Sequence, residues 1–215
     1  MVTAAVLAAI QLGAGLPVYA HTNTGAVNTG NFIRGVDVST LDMLEDLGAA
    51  YYQNGTRNDA LTILRNNGAN YVRLKLWVDP YDESGNAYGG GNNDYATTLS
   101  LAKRAKSLGM GVMIDFHLSD FWADPANQIK PKAWKNLTFP ELKNTLYDYM
   151  RTTLNNFAAE GIVPEMVQVG NEISTGILHN DGKVGDGNND FSRLAELLGS
   201  AISGVRASAA SGTKI

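Results

Sequence analysis

The chain has 215 residues, 44% hydrophobic and 18% charged, which is long and apolar enough for a globular domain with a sizeable core. Its 17 basic and 21 acidic residues give a formal net charge of -4 without any basic cluster, so we predict no nucleic-acid partner. The absence of cysteine excludes disulfides, thiolate metal ligands and a thiol nucleophile, but it does not exclude export.

The first 20 residues predict a signal peptide. Residues 1–16 are small and apolar, and Pro17-Val18-Tyr19-Ala20 places small or apolar residues before a cleavage point. Cleavage after Ala20 would start the mature chain at His21, and the apolar stretch is short for a membrane span. No Lys or Arg precedes this stretch, which leaves a buried amino-terminal helix as the alternative.

Two N-glycosylation sequons agree with export. They are Asn54-Gly55-Thr56 and Asn136-Leu137-Thr138, and we expect both on surface loops. We therefore predict a secreted, extracellular glycoprotein that is not attached to a membrane once the signal peptide is removed.

After a polar lead at residues 21–31, strand-like and helical segments alternate through a predicted domain at residues 32–215. Short apolar runs predict strands at residues 33–38, 71–78, 111–117 and 166–171. Helices are predicted at residues 60–67 and 95–108, and a third follows the capping box Thr138-Phe139-Pro140-Glu141. A fourth helix follows residues 187–191, which echo residues 91–95, and both segments resemble N-caps.

This alternation requires parallel strands, so the candidates are a barrel and an open doubly wound sheet. Long polar connections follow the strands, at residues 79–94, 118–137 and 173–190, which favours a barrel with a binding face at the carboxyl ends of its strands. A complete barrel has eight strands in about 250 residues. The sequence therefore predicts an α/β fold, a (β/α)8 TIM barrel of which this chain supplies roughly the N-terminal half. Thr213-Lys214-Ile215 resembles the start of strand five.

In the segment from Met166 to Ile173 an apolar strand run ends in Asn171-Glu172, at the position where a barrel would carry its catalytic residues. A carboxylate there points into the mouth of the barrel, and the asparagine can bind a substrate hydroxyl. The alternative for an isolated Asn-Glu pair is a helix cap or a surface pair.

Polar residues also recur on one side of the predicted strands. Arg73, Lys75 and Trp77 share one face of their strand, as do Asp115 and His117. The alternative to a binding site is an ion pair inside the barrel, for instance between Arg73 and Asp115.

The three tryptophans, Trp77, Trp122 and Trp134, lie on or near the loops after the strands, where flat rings suit stacking on sugars. Core packing is the alternative for each. Trp122 is the best binding candidate, because Phe121-Trp122 lies in a long polar loop.

Metal and serine chemistry are less favoured. Asp115, His117, Asp120 and Asp124 could ligate zinc or manganese, but only three histidines exist and none forms a recognised zinc motif. A Gly-x-Ser-x-Gly serine motif is absent. We predict no metal and no cofactor.

Four motifs make residues 35–215 resemble family 53 glycoside hydrolases, the secreted arabinogalactan endo-1,4-β-galactanases of microbes. The motifs are Gly35-Val36-Asp37-Val38-Ser39, Val72-Arg73-Leu74-Lys75-Leu76-Trp77-Val78-Asp79-Pro80, Asp115-Phe116-His117-Leu118-Ser119-Asp120-Phe121-Trp122-Ala123-Asp124-Pro125 and Gln168-Val169-Gly170-Asn171-Glu172. The resemblance implies a retaining endo-acting hydrolase of β-1,4-galactan, the arabinogalactan of plant cell-wall pectin, and a full-length protein that is a monomer.

By the same resemblance Glu172 is the acid/base and Asn171 binds the 2-hydroxyl of the substrate. Arg73, Asp115 and His117 then shape the site around the reacting sugar. The nucleophile is a Glu after strand seven and is not assigned in this chain, so we expect the chain to be inactive alone. The open alternatives are a noncatalytic carbohydrate-binding relative, a barrel glycosidase acting on another β-glycan, and a metal-dependent barrel hydrolase.

Overall fold

Parallel strands with helical crossovers build the core of the protein in this computed structural model, which describes residues 32–187 and 189–215. The predicted signal peptide at residues 1–20 and the polar lead at residues 21–31 lie outside the described residues. In chain order the elements are β1 (Gly35–Asp37), α1 (Leu41–Asp46), β2 (Tyr51–Gln53), β3 (Thr56–Asn58), α2 (Ala60–Asn66), β4 (Tyr71–Leu76), α3 (Tyr95–Ser107), β5 (Gly111–Phe116), α4 (Phe139–Ala159), β6 (Met166–Val169), β7 (Gly176–Ile177), β8 (Gly182–Lys183) and α5 (Ser192–Arg206).

The main sheet has the order β1-β4-β5-β6, and every neighbouring pair is parallel. A further parallel bridge joins Met166 to Lys214, and the Val167 amide donates to the Lys214 carbonyl at 2.8 Å. Lys214 thus takes the place of a fifth strand beside β6. The four complete strands correspond to the first four strands of a barrel.

The two faces of the sheet differ in chemistry because side chains alternate along each strand. Leu74, Ile114 and Phe116 belong to the buried core, together with residues from the helices. The polar side chains Arg73, Lys75 and Asp115 occupy the alternate positions of β4 and β5. The predicted amphipathic helix is present as α4, with the predicted capping box, and it buries Leu142, Leu146, Met150, Leu154 and Phe157.

The long connections lie where the sequence places them, after the carboxyl ends of β4, β5 and β6. Residues 77–94 follow β4, residues 117–138 follow β5, and residues 170–191 follow β6. All three therefore start at the same edge of the sheet, the edge at which barrel enzymes carry their active sites. None of the helices within residues 32–187 and 189–215 is long and apolar enough to cross a membrane.

Candidate active site

Arg73 is the centre of a polar cluster at the carboxyl edge of the sheet. Its Nη1 lies 2.7 Å from Asp37 Oδ2, and its Nη2 lies 2.6 Å from Asp115 Oδ2. Nη2 also donates to Asn171 Oδ1 at 2.7 Å. One guanidinium from β4 thus joins β1, β5 and the segment after β6, and the Arg73–Asp115 ion pair, which the sequence analysis gave as the alternative to a binding site, is present.

Asp115 and His117 are both buried within this cluster. His117 Nε2 lies 3.0 Å from Asp115 Oδ2, and His117 Nδ1 accepts a hydrogen bond from the Ala123 amide at 3.1 Å. The amide contact requires a lone pair on Nδ1, so the ring hydrogen of a neutral His117 is on Nε2, towards Asp115. Within the described residues, neither oxygen of Asp115 nor His117 Nε2 has a partner that meets hydrogen-bond geometry, which is uncommon for buried polar atoms, so Asp115 is paired by charge with Arg73.

Asn171 has a carboxamide whose orientation is fixed by its neighbours. Its Oδ1 accepts from Arg73, and its Nδ2 donates to the Ala123 carbonyl at 2.7 Å. Its backbone carbonyl accepts from the buried Gln128 side chain at 2.8 Å. One hydrogen on Nδ2 remains for a ligand, because a carboxamide carries two.

Glu172 follows at the rim of the sheet and is exposed. Its backbone is left-handed (φ 50°, ψ 47°), a conformation that is uncommon for a residue other than glycine and is often found at functional sites. Within the described residues no hydrogen bond or ion pair engages its carboxylate. The side chain is therefore free to meet a ligand.

Asp37 and Lys75 complete the cluster, although the sequence analysis placed Lys75 on the face of Arg73 without giving it a role and gave none to Asp37. Lys75 Nζ lies 2.7 Å from Asp37 Oδ2. Burial alone would raise the pKa of Asp37, but hydrogen bonds from Lys75, Ser39 and Arg73 outweigh it and lower the pKa to about 2. Strand alternation was the available signal, because it puts Lys75 on the face of Arg73.

Only one of the three tryptophans is accessible. Trp122 is 39% exposed, whereas Trp77 is 1% and Trp134 is 6% exposed. Trp77 packs against Phe121 with ring centroids 4.9 Å apart, and Trp134 packs against Tyr149 at 5.3 Å. Trp77 and Trp134 are therefore core residues.

A groove of about 920 Å³ adjoins Trp122 and is lined by the loop after β5 together with the segment that follows β7, which the bridge between Ile129 and His179 joins. Its volume lies within the range of pockets that hold drug-sized ligands, roughly 300–1,000 Å³. The residues that line the groove include Phe121, Trp122, Ile129, His179, Asn180 and Asp181.

Two of the four residues considered for a metal site, Asp115 and His117, lie in contact, and the other two are engaged elsewhere. Asp120 accepts hydrogen bonds from the Asp79 and Lys132 amides, and Asp124 accepts from the Ala126 and Asn127 amides. In the described ranges, no group of three or more His, Asp or Glu side chains is placed to hold a metal ion.

Fold and cluster together define a domain of the (β/α) barrel class, with its polar groups gathered at the carboxyl ends of the strands. A model of glycosyl hydrolase family 53 matches residues 33–215, and the chain belongs to that family. The family resemblance inferred from the four motifs is thereby confirmed.

Individual relatives agree with this assignment. An endo-beta-1,4-galactanase of Bacillus subtilis (strain 168) is 45% identical over 177 residues, which are 82% of this chain and 39% of that protein. The GH53 catalytic domain of Ignisphaera aggregans matches with a TM-score of 0.77 at 47% identity, covering 81% of this chain and 48% of the other. A structure from a study of two fungal beta-1,4-galactanases matches with a TM-score of 0.76 at 37% identity, covering 85% and 52%.

These structural neighbours are TIM barrels, so the predicted barrel class is confirmed. The chain spans about half the length of the relatives it matches. Its four complete barrel strands and the bridge at Lys214 correspond to the N-terminal half of the barrel.

Proposed function

We propose that this chain carries the acid/base half of a retaining endo-β-1,4-galactanase that acts on the arabinogalactan of plant cell walls. Glu172 would protonate the departing glycosidic oxygen while a second carboxylate attacks the anomeric carbon. Glu172 would then take a proton from water, which hydrolyses the glycosyl intermediate. In retaining enzymes the two carboxylates lie about 5 to 5.5 Å apart.

The observation that carries this proposal is the Asn171–Glu172 pair. The Asn171 carboxamide is held by Arg73 and Ala123, and the next residue, Glu172, is exposed at the carboxyl end of the fourth barrel strand. Asn171 would donate its remaining hydrogen to the 2-hydroxyl of the sugar. The names of the relatives, which include endo-beta-1,4-galactanases, support galactan as the substrate class.

The roles of the other site residues would depend on whether their side chains are exposed or buried. Arg73 and Trp122 are partly exposed and would touch the sugar, Trp122 through its ring and Arg73 through its guanidinium. Asp115 and His117 are buried, so they would act by holding Arg73 and the loop that carries Ala123. The nucleophile would come from the seventh strand of the complete barrel.

The test combines a binding measurement with an assay for new reducing ends. We expect the 215-residue chain to bind β-1,4-galacto-oligosaccharides in calorimetry without releasing reducing ends from galactan. Glu172→Gln should bind as the wild type does, and Glu160→Gln, on an exposed carboxylate paired with Lys103, is the matched control.

Release of reducing ends by the 215-residue chain alone would show that the chain is not inactive. In that case a hydrolysis rate roughly 10²–10⁴-fold lower in Glu172→Gln would still support the acid/base role. Binding of mannan or xylan in place of galactan would contradict the substrate.

We further propose that the protein is exported and glycosylated. Asn54 and Asn136 are both exposed, as a glycan acceptor must be, and the pattern of residues 1–20 supports a signal peptide. Protein recovered from the culture medium should begin at His21 and lose mass on deglycosylation. An intracellular product that keeps Met1 would contradict export.

A further inference from the structure

The indole of Trp122 is fixed in place by a charge as well as by packing. Trp122 lies in the long loop after β5, where an exposed aromatic residue would ordinarily sample several orientations. Lys75 Nζ stands 4.9 Å from the centre of its ring, within the distance of a cation–π interaction. Lys75 belongs to β4, a central strand of the sheet, so the loop residue is tied to the most rigid part of the fold.

The ammonium of Lys75 is itself held by a carboxylate. Asp37 Oδ2 lies 2.7 Å from Lys75 Nζ, and the pKa of Asp37 is lowered to about 2, so this carboxylate is charged at any ordinary pH. The Lys75 side chain is 11% exposed, which limits its alternatives in solvent. A chain of contacts therefore runs from Asp37 through Lys75 to Trp122.

Neighbouring groups close off other parts of the indole. Trp77 and His117 meet it edge-on, with ring centroids 6.0 Å and 5.9 Å away. Gly90 has a positive φ of 67°, and a Cβ there would lie 3.0 Å from Trp122 Nε1. The 39% of Trp122 that stays exposed is thus presented in one orientation, beside the groove.

We propose that Lys75 is a positioning residue that fixes Trp122 as a stacking surface for the apolar C–H face of a neutral sugar ring. This inference rests on the proposed function for the identity of the sugar, but not for the role of Lys75. The charge on Lys75 reaches the ligand only through the orientation of the indole, which a flat sugar face requires for good contact.

Tryptophan fluorescence tests this directly, because Trp122 is the accessible one of the three tryptophans. In Lys75→Met we expect acrylamide to quench the unliganded protein more strongly, because the loosened ring spends more time in solvent. We also expect the affinity for β-1,4-galactotriose to fall by roughly two- to fivefold. Lys75→Arg, which restores a cation over the ring, should return both values towards those of the wild type.

Lys143→Met is the matched control. Lys143 also stands over an aromatic ring, at 5.3 Å from the centre of Phe139, and also pairs with a carboxylate, Glu196 at 2.6 Å. It lies on α4 and its loss should change neither quenching nor affinity. The proposal would be overturned if acrylamide quenched Lys75→Met and Lys75→Arg to the same extent as the wild type.

Two further outcomes are separable. If Lys75→Met does not fold, Lys75→Gln keeps a hydrogen-bond donor for Asp37 without the charge, and wild-type quenching in that variant would overturn the proposal equally. If the wild type binds no galactotriose, the proposed substrate fails, while the quenching of the unliganded variants still decides the role of Lys75.

Discussion

Arg73 shows how a single residue can organise a site. Its guanidinium contacts two carboxylates, at 2.7 and 2.6 Å, and two carboxamides, that of Asn171 at 2.7 Å and that of Gln168 at 3.3 Å. Asp115 is fully buried, and an isolated charge in such a position is strongly destabilising unless it is paired. Arg73 therefore serves structure and site at once, since the group that neutralises Asp115 also orients Asn171.

Sequence reasoning found most of these residues for a physical reason. Arg73, Asp115 and His117 stand at alternate positions near the ends of buried strands, where a polar residue is costly and so conspicuous. Asp37 was quoted in a motif but was not assigned a role. Gln128 lies in a loop, and loops have no repeating sequence pattern from which the burial of its side chain against Asn171 could be predicted.

Asp37 should make the stability of the protein depend on acid pH. Its folded pKa of about 2 lies below its ordinary value of 3.8, so its contribution is complete above about pH 4 and is lost as pH falls through about 2. Discounted for a side chain that is 33% exposed, we expect the contribution to be about 1–2 kcal/mol.

Urea unfolding between about pH 5 and pH 2 measures this effect. Asp37→Asn should lose less stability over that range than the wild type does. Asp148→Asn, which removes an exposed carboxylate paired with Arg151, should keep the wild-type dependence. Equal slopes for the wild type and Asp37→Asn would count against the ion cluster.

At the scale of elements, the periodic pattern of apolar residues correctly predicted the longer strands and helices, whereas short exposed strands such as β3 were not predicted. Strands β4, β5 and β6 begin where the sequence predicts, at residues 71, 111 and 166, and each ends two or fewer residues early. The predicted capping box of α4 is present. The β2–β3 hairpin was missed, although its turn is Asn54-Gly55 with positive φ at both residues, the favoured sequence for such a turn.

The two similar helix starts turned out to differ. Asp94 caps α3 by accepting the Thr97 amide, as predicted. The N-cap of α5 is instead Phe191, without a side-chain cap hydrogen bond, and the Asp190 carboxylate accepts the amide of Ser192, the first residue of the helix. Sequence identity at the start of a helix does not fix the exact residue from which the first turn begins.

Helix α5 contains two glycines for which we expect opposite effects of the same substitution. At Gly204 a Cβ would lie 2.4 Å from the Tyr147 carbonyl and 3.0 Å from Met150 Cβ, so α5 approaches α4 closely at Gly204. Gly204→Ala should destabilise the protein by about 1–3 kcal/mol, because neither helix backbone can give way cheaply.

Gly199→Ala is the matched control in the same helix. Nothing lies within 4 Å of a Cβ at Gly199, and this position is exposed. Alanine there should stabilise the protein by roughly 0.5–1 kcal/mol through its better helix propensity. Thermal and urea unfolding of both variants measure these changes, and a neutral Gly204→Ala would show that α4 and α5 can separate without cost.

At the scale of the whole molecule, the alternation of strands and helices predicts parallel strands, and the long polar connections after the strands favour a barrel over an open doubly wound sheet. Right-handed crossovers place successive helices on one face, and the loops after the strands then meet at one edge. What the alternation could not give was the set of side-chain contacts at that edge. These depend on how residues 77–94 and 117–138 fold over the strand ends, and such loops follow no period.

The described part of the sheet has an edge at β1, which pairs only with β4 there. Exposed strand edges with unpaired amides and carbonyls favour pairing with another chain, and a barrel removes them by closing. We therefore expect the 215-residue chain to self-associate in a concentration-dependent way. Analytical ultracentrifugation over the micromolar range measures this, and a single monomeric species at every concentration would contradict it.

Gly35→Lys supplies the comparison for that experiment, since lysine on an edge strand opposes edge-to-edge pairing. Gly35 is exposed, and a Cβ there would meet its nearest neighbour, Tyr71 Cβ, at 3.6 Å, which is ordinary contact. The variant should fold and should shift the equilibrium towards the monomer. Unchanged association in Gly35→Lys would show that β1 is not the edge through which the copies meet.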